Sequence, residues 1–192
     1  MAPVAAGRTA ALDGSTGRGH SGRVEQDRGA GVEVRAGRAD DLPALVPLAG
    51  TPDRAWWRVD AAGAGRDALL VAERAGETLG VVSLRWVCDC DPPHPWLYGL
   101  HVRHDARRAG IGTLLVRAAH AAATDRGARA VSLDVDRAEP GLVRWYEALG
   151  YRRVGPHDHR WTAVDPVTGR VTASGTSPTW LLRHPLPPTA ST

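Results

Sequence analysis

Hydrophobic positions along the chain follow two rhythms. Short runs alternate apolar and polar residues, while longer runs repeat apolar residues at helical spacing. VEVRA (Val32–Ala36) alternates and predicts a short strand. DDLPALVPLAG (Asp40–Gly50) opens with helix-capping residue types and sets Leu42, Leu45, Val46 and Leu48 on one helical face, with Pro47 shortening or kinking that helix. Residues 51–67, with Trp56 and Trp57, read as a second helix or a loop. ALLVAE and TLGVVSLRWV are β-rich runs joined by RAGE, a hairpin signal. CDPPHP forces a loop, because proline restricts the residue before it and lacks the ladder donor.

WLYGLHV (Trp96–Val102) predicts the next strand. A helix follows, with Ile111, Leu114, Leu115, Ala118, Ala119 and Ala122 on one face and Gly127 where a C-terminal glycine belongs. AVSLDV (Ala130–Val135) alternates again, and Pro140 opens a helix that Gly150 closes. YRRV and TWLLRH predict two closing strands separated by a turn-rich stretch. Strands alternate with helices mid-chain and cluster as hairpins at both ends, which predicts an α+β fold with a mixed sheet.

The ends differ from this body. Residues 1–30 mix Gly, Ala, Ser and Arg without apolar periodicity and are expected to be a disordered tail. HPLPPTAST is expected to fray after Pro185, leaving 31–185 as a single domain and 186–192 as a second tail. Composition adds exclusions. All 24 basic residues are Arg, but the formal charge is only +3 and no block of like charges occurs, so no nucleic-acid partner is indicated. No apolar run is long enough for a membrane span, and the N-terminus has no secretory apolar region. Cys88 and Cys90, in VCDCD, cannot easily bridge each other and lack the partners of a zinc site. They read as free thiols in a reducing cytoplasm, with no metal expected.

Candidate chemistry centres on RRAGIGTLL (Arg107–Leu115). A dinucleotide fingerprint needs a third glycine where Leu115 stands, and a Walker loop needs a lysine that the chain lacks. What remains is a glycine turn at a helix N-terminus. There, backbone N–H groups and the helix dipole favour an anion such as a pyrophosphate, with Arg107 and Arg108 at hand. On the loop alone, a phosphate cradle and a tight turn with solvated arginines both stand.

The surrounding residues carry a resemblance. LHVRHDARRAGIGTLLVRAA resembles the acetyl-CoA motif of the Gcn5-related N-acetyltransferases (GNAT), in which a strand ending in an apolar-x-Val run leads into [Arg/Gln]-x-x-Gly-x-[Gly/Ala]. Leu100, Val102, Arg107, Gly110 and Gly112 occupy its places. LDVDRAEPGLVRWYEALGYRRV resembles the family's second signature. The resemblance implies a central, mostly antiparallel sheet of about six to seven strands, splayed at the coenzyme strand and flanked by about four helices. It implies acetyl-CoA as cosubstrate. Leu100, His101 and Val102 would hold the pantetheine arm, and the backbone from Arg108 through Ala109, Gly110, Ile111 and Gly112 to Thr113 would cap the pyrophosphate.

Tyr146 matches the family's proton donor to the coenzyme sulfur, and a phenol that stays protonated at neutral pH suits that task. Asp134 stands where some members carry a basic Glu, and His101 is a second candidate base. Glu139 departs from the Asn that the family often uses against pantetheine, and is expected to cap the helix at Pro140 instead. Trp56, Trp57, Asp89, His94 and Trp96, with the GPHDHRW segment, are the candidate acceptor-binding residues. The acidic and aromatic ones suit a cationic, partly apolar amine.

The function implied is transfer of an acetyl group to the primary amine of a small molecule, by a monomer or homodimer. One alternative is acetylation of protein N-terminal α-amines. Another is a catalytically idle acyl-CoA sensor or interaction module, against which Tyr146 stands.

Overall fold

The computed structural model describes residues 31–87, 94–165, 168 and 170–187. The expected tail at 1–30, residues 188–192 of the tail expected at 186–192, and Cys88, Asp89 and Cys90 lie outside the described residues. The elements in order are β1 (Glu33–Ala36), α1 (Leu42–Ala49), α2 (Pro52–Gly63), β2 (Asp67–Arg74) and β3 (Glu77–Arg85). There follow β4 (Trp96–Val102), α3 (Ile111–Asp125), β5 (Ala130–Asp136), α4 (Pro140–Ala148), β6 (Arg152–Val164) and β7 (Val171–Pro185).

Local chemistry explains most boundaries. Gly50 ends α1 in a left-handed conformation and returns its N–H to the Val46 carbonyl, while Pro52 opens α2 behind the Thr51 cap. Ala75 and Gly76 both carry positive φ in the β2–β3 turn, the geometry that matches the twist of a tight hairpin. Asp41 does not cap α1 with its side chain. Its carboxylate takes two bonds from the Arg35 guanidinium and one from the Arg38 N–H, which hold it well below the usual carboxylate range.

The strands form one seven-stranded sheet in the order β1-β2-β3-β4-β5-β7-β6. All neighbours are antiparallel except β4 and β5. α3 and α4 pack on one face of the sheet, where Ile111, Leu115, Val116, Ala119, Val143 and Tyr146 meet Leu97, Leu133, Val135 and Leu182. α1 and α2 cover the other face over β2 and β3, through Leu45, Ala55, Leu69, Val71 and Val81.

Three expectations change. The buried face of α3 is centred on Ile111, Leu115, Ala119 and Ala123 with Val116, so Leu114, Ala118 and Ala122 stand at its margin. The stretch read as turn-rich is mostly strand: β6 and β7 run antiparallel from Arg152↔Arg183 out to Val164↔Val171. Turn-forming residue types lost there to cross-strand pairing, which repays each extended residue with ladder bonds. The core also extends past Pro185, because Leu186 is buried and its N–H bonds the Arg129 carbonyl.

Candidate active site

β4 and β5 share a single register pair, Trp96↔Ser132, supported by the Ser132 N–H on the Pro95 carbonyl. Beyond it the two strands part. From Leu97 to Val102 the β5-facing backbone edge of β4 has no strand neighbour among the described residues. A peptide edge inside a sheet that pairs with nothing in its own chain is a place for another extended chain. The sheet is therefore splayed where the resemblance places the coenzyme strand.

A bulge shapes the same strand. Val81 pairs with His101 and Ser83 with Tyr98, so Gly99 and Leu100 together oppose Val82. Gly99 has φ +60, a conformation that strains any residue with a Cβ. The bulge resets the alternation, so Leu97, Leu100 and Val102 all pack towards α3 and α4. Tyr98 and His101 go to the opposite face.

Arg58 of α2 stands under this bulge, only 5% exposed. Its Nε donates to Ser83 Oγ at 2.9 Å and Nη2 donates to the Gly99 carbonyl at 2.9 Å. Burial pushes its guanidinium down to about 10, partly offset by Tyr98 and Asp67. Tyr98 donates to Asp67, and Trp57 packs on its ring at 6.0 Å with Arg85 stacked against both. Sequence reasoning missed Arg58, because an arginine on an amphipathic helix gives no sign of turning inward. His101 faces these groups: burial, Arg58, Arg107 and Arg54 push its imidazole down to about 4. It stays neutral across the physiological range, and its side chain lies on the face away from Leu100 and Val102.

The glycine loop follows β4. α3 begins at Ile111, with its first backbone bond from Leu114 N–H to the Gly110 carbonyl, so the N–H groups of Ile111, Gly112 and Thr113 have no partner within the helix. Gly110 has φ +78 and open space where a side chain would lie. Arg108 also takes a positive φ of 61, which costs a non-glycine residue roughly 1–2 kcal/mol. Strain held at a loop of free N–H groups is typical of an anion nest. At Gly112 a Cβ would only touch Trp145 at 3.4 Å, so the bare Cα leaves room for close approach rather than answering a clash. Arg107 turns back to the strand, Nε donating to the Val102 carbonyl at 3.1 Å. It clamps the end of β4 and so cannot aim that nitrogen at a phosphate. Ala109 is buried against the core.

Asp134 stands where β4 and β5 part, and its charge reaches Tyr146 of α4. Asp134 is on β5 two positions past Ser132, the last residue paired with β4, with its side chain opposite Leu133 and Val135. Tyr146 is buried in α4, and burial followed by the Asp134 charge pushes its phenol well up. Asp134 Oδ2 is buried and takes no aligned hydrogen bond. His159 of β6 sits next to it, Nδ1 at 3.0 Å. On the same face Trp96 packs on His157 at 5.9 Å.

Among the other candidates, Trp57 lines the face of the sheet but Trp56 is 57% exposed, since adjacent helix positions point about 100° apart. His94 is half-buried, its imidazole pushed down by burial and by Arg183. Glu139 makes no side-chain cap on α4, contrary to expectation, because its backbone at φ −110 and ψ 62 lies outside the extended cap geometry.

This architecture, a mixed sheet opened at β4 and β5 with a glycine turn into α3 behind it, is an acyltransferase fold. The sequence matches the acetyltransferase (GNAT) family over residues 33–151, and the chain belongs to that family. Members transfer acetyl groups from acetyl-CoA. No curated protein matches the sequence. Among solved structures, ribosomal-protein-alanine N-acetyltransferase from Brucella melitensis superposes with a TM-score of 0.63 at 18% identity, covering 80% of this chain and 99% of its own. An N-acetyltransferase from Staphylococcus aureus Mu50 gives 0.64 at 14% identity, with 81% and 99% covered. An acetyltransferase from Salmonella typhimurium, solved with its cofactor acetyl-CoA, gives 0.62 at 16% identity, with 84% and 97% covered. At these identities the likeness is one of fold.

Proposed function

We propose that this acetyltransferase acetylates a primary amine of a small molecule, with the acceptor entering over the face that carries Asp134, Trp96 and the β6–β7 hairpin. The observation that carries this reading is the parting of β4 and β5 beside Asp134, whose charge reaches Tyr146. The residues present suit acetyl-CoA: a free peptide edge on β4, a nest of N–H groups at the start of α3, and a glycine that leaves room at position 112. When bound, acetyl-CoA supplies an activated acetyl group as a thioester.

Leu100 and Val102 offer backbone donors and acceptors to the pantetheine arm, and N–H groups from Arg108 to Thr113 hold the pyrophosphate. Arg107 contributes by fixing the strand end to the loop. Tyr146 keeps its proton because its surroundings disfavour the phenolate, so it remains a proton donor at neutral pH. Asp134, a carboxylate with an unsatisfied oxygen, draws the ammonium of the acceptor and the proton it must lose. His101 serves neither role. It lies among arginines that repel a cation, and its side chain faces the α2 side.

The test is thiol release from acetyl-CoA across free amino acids, polyamines, aminoglycosides and N-terminal peptides, repeated with Tyr146→Phe. Phenylalanine preserves the packing of a ring that meets Trp145 and Tyr151 edge-on. A general acid is worth about 10²–10⁴-fold in rate, so turnover falls by that order with the KM for acetyl-CoA nearly unchanged. Wild-type turnover in Tyr146→Phe removes the acid role. Activity on peptides alone moves the acceptor to a protein N-terminus, and coenzyme binding without any thiol release makes the protein a sensor.

A further inference from the structure

The sheet order ends at β6, so among the described residues no strand lies beyond its outer edge. β6 is long, from Arg152 to Val164, and β7 is the strand it pairs with. An edge of that length is a template for another strand unless something blocks it.

The neighbouring strands fix which backbone groups of β6 point outward. The Arg137 N–H bonds the Pro178 carbonyl, so Pro178 turns its backbone towards β5. By alternation Thr179 turns its own towards β6, where it opposes His157. Thr179 also donates its hydroxyl to the His157 carbonyl at 2.9 Å. The register runs unbroken from Gly155 to Ala163. The N–H and C=O groups of His157, His159 and Trp161 therefore face β7, and those of Asp158, Arg160 and Thr162 face the outer edge. Pro156 falls in the outward set, where its missing N–H costs the β6–β7 ladder nothing.

Side chains add charge to this edge. Pro156, Asp158 and Arg160 are exposed along one face of β6. Neither Asp158 nor Arg160 forms an ion pair with another described residue.

We propose that β6 is a self-association edge, on which a second copy of this chain lays its own β6 antiparallel, about a two-fold axis at His159. In this register Asp158 stands opposite Arg160 of the second copy, and Arg160 stands opposite its Asp158. The same residues exchange backbone bonds, because the N–H and C=O groups of both face outward. Further out, the Thr162 N–H meets the Pro156 carbonyl of the second copy, and proline has no donor to return. Charge selects this register. Sliding the second copy by two residues sets Asp158 opposite itself in one direction and Arg160 opposite itself in the other. A slip of one residue opposes outward groups with inward ones and loses the ladder. The pairing also borders the face on which Trp96 packs on His157, since residue 161 of the second copy comes opposite His157. Association of this kind needs neither coenzyme nor acceptor, so it stands or falls apart from acetyl transfer.

The experiment is sedimentation velocity on the full chain over about 1–100 µM, the range in which small interfaces dissociate. It compares wild type, Asp158→Arg, Arg160→Asp and the double exchange. Wild type should form dimers. Each single reversal sets like charges opposite each other on both sides of the axis and should weaken association about tenfold or more. The double exchange restores both pairs and should return the affinity to within about threefold of wild type. Hydrogen exchange on wild type reads the pairing without any substitution. The amides of Asp158, Arg160 and Thr162 should slow as concentration rises, while those of His157 and Trp161, already turned to β7, should not. A wild type that stays monomeric throughout overturns the proposal. A dimer indifferent to the single reversals, one that the double exchange fails to restore, or one whose slowed amides lie elsewhere uses another surface and overturns it too.

Discussion

Replacing Arg58 with methionine tests what holds β4 in its bulged shape. The guanidinium makes two bonds of 2.9 Å, to the buried Ser83 hydroxyl and to the Gly99 carbonyl. Bonds to a charged group contribute about 1.5–3 kcal/mol each, so about 3–6 kcal/mol is lost with them. Against this, burial pushes the guanidinium from 12.5 down to about 10, a penalty of about 3 kcal/mol that methionine removes. Methionine also fills most of the volume, so a large cavity term is avoided. The net destabilisation is therefore modest, about 0–3 kcal/mol, and the melting temperature should fall by no more than about 10 °C. The functional loss should be larger than the stability loss implies, because the Gly99 carbonyl is released where β4 must present its edge. Calorimetric titration with coenzyme A should show affinity weaker by about 5–30-fold, equivalent to 1–2 kcal/mol. The reasoning is refuted if the folded variant binds coenzyme A as tightly as wild type. A fall in stability beyond about 5 kcal/mol would also refute it, since Arg58 would then be a structural strut whose burial penalty had been overestimated.

Two further outcomes follow from the same region. At Gly80 a Cβ would stand 2.9 Å from the His101 carbonyl and 3.1 Å from Leu115, so Gly80→Ala should push β4 outward, destabilise by about 1–3 kcal/mol and weaken coenzyme binding; an unchanged melting temperature and affinity would count against it. His101 and His120 are both pushed from 6.5 down to about 4, mainly by burial, so between those pH values the unfolded chain binds protons that the native state refuses, and stability falls as pH is lowered. Discounted for partial solvent access, each contributes about 1–2 kcal/mol over that window. Urea denaturation at pH 7 and pH 4.5 should show the loss, and His101→Gln with His120→Gln should flatten it.

How much of this was legible beforehand differs by element. β4 was read with the bounds it has, because seven residues of bulky character between CDPPHP and the RHDARR turn leave little choice. α3, α4 and the β2–β3 hairpin followed from spacing and from proline and glycine signals. β6 and β7 were cut short, since the glycines, prolines and serines between residues 155 and 178 resemble turn chemistry until a partner strand is present. Within the site, Tyr146 and Asp134 carried a recognisable spacing, whereas Arg58 and His159 carried none. Both depend on contacts between residues far apart in the chain: Arg58 meets Ser83 and Gly99, and His159 meets Asp134.

The sequence alone determined the family, the place of the glycine turn before α3 and the order of strands and helices, because each of these is written in local spacing. Side-chain alternation, capping and glycine conformation act over a few residues and need no partner. Only the tertiary structure decided where the sheet opens, which way β4 turns at its bulge, and which imidazole stands beside the carboxylate. A strand edge is free or paired only relative to another strand, and a buried charge has its partners only once distant segments are packed around it.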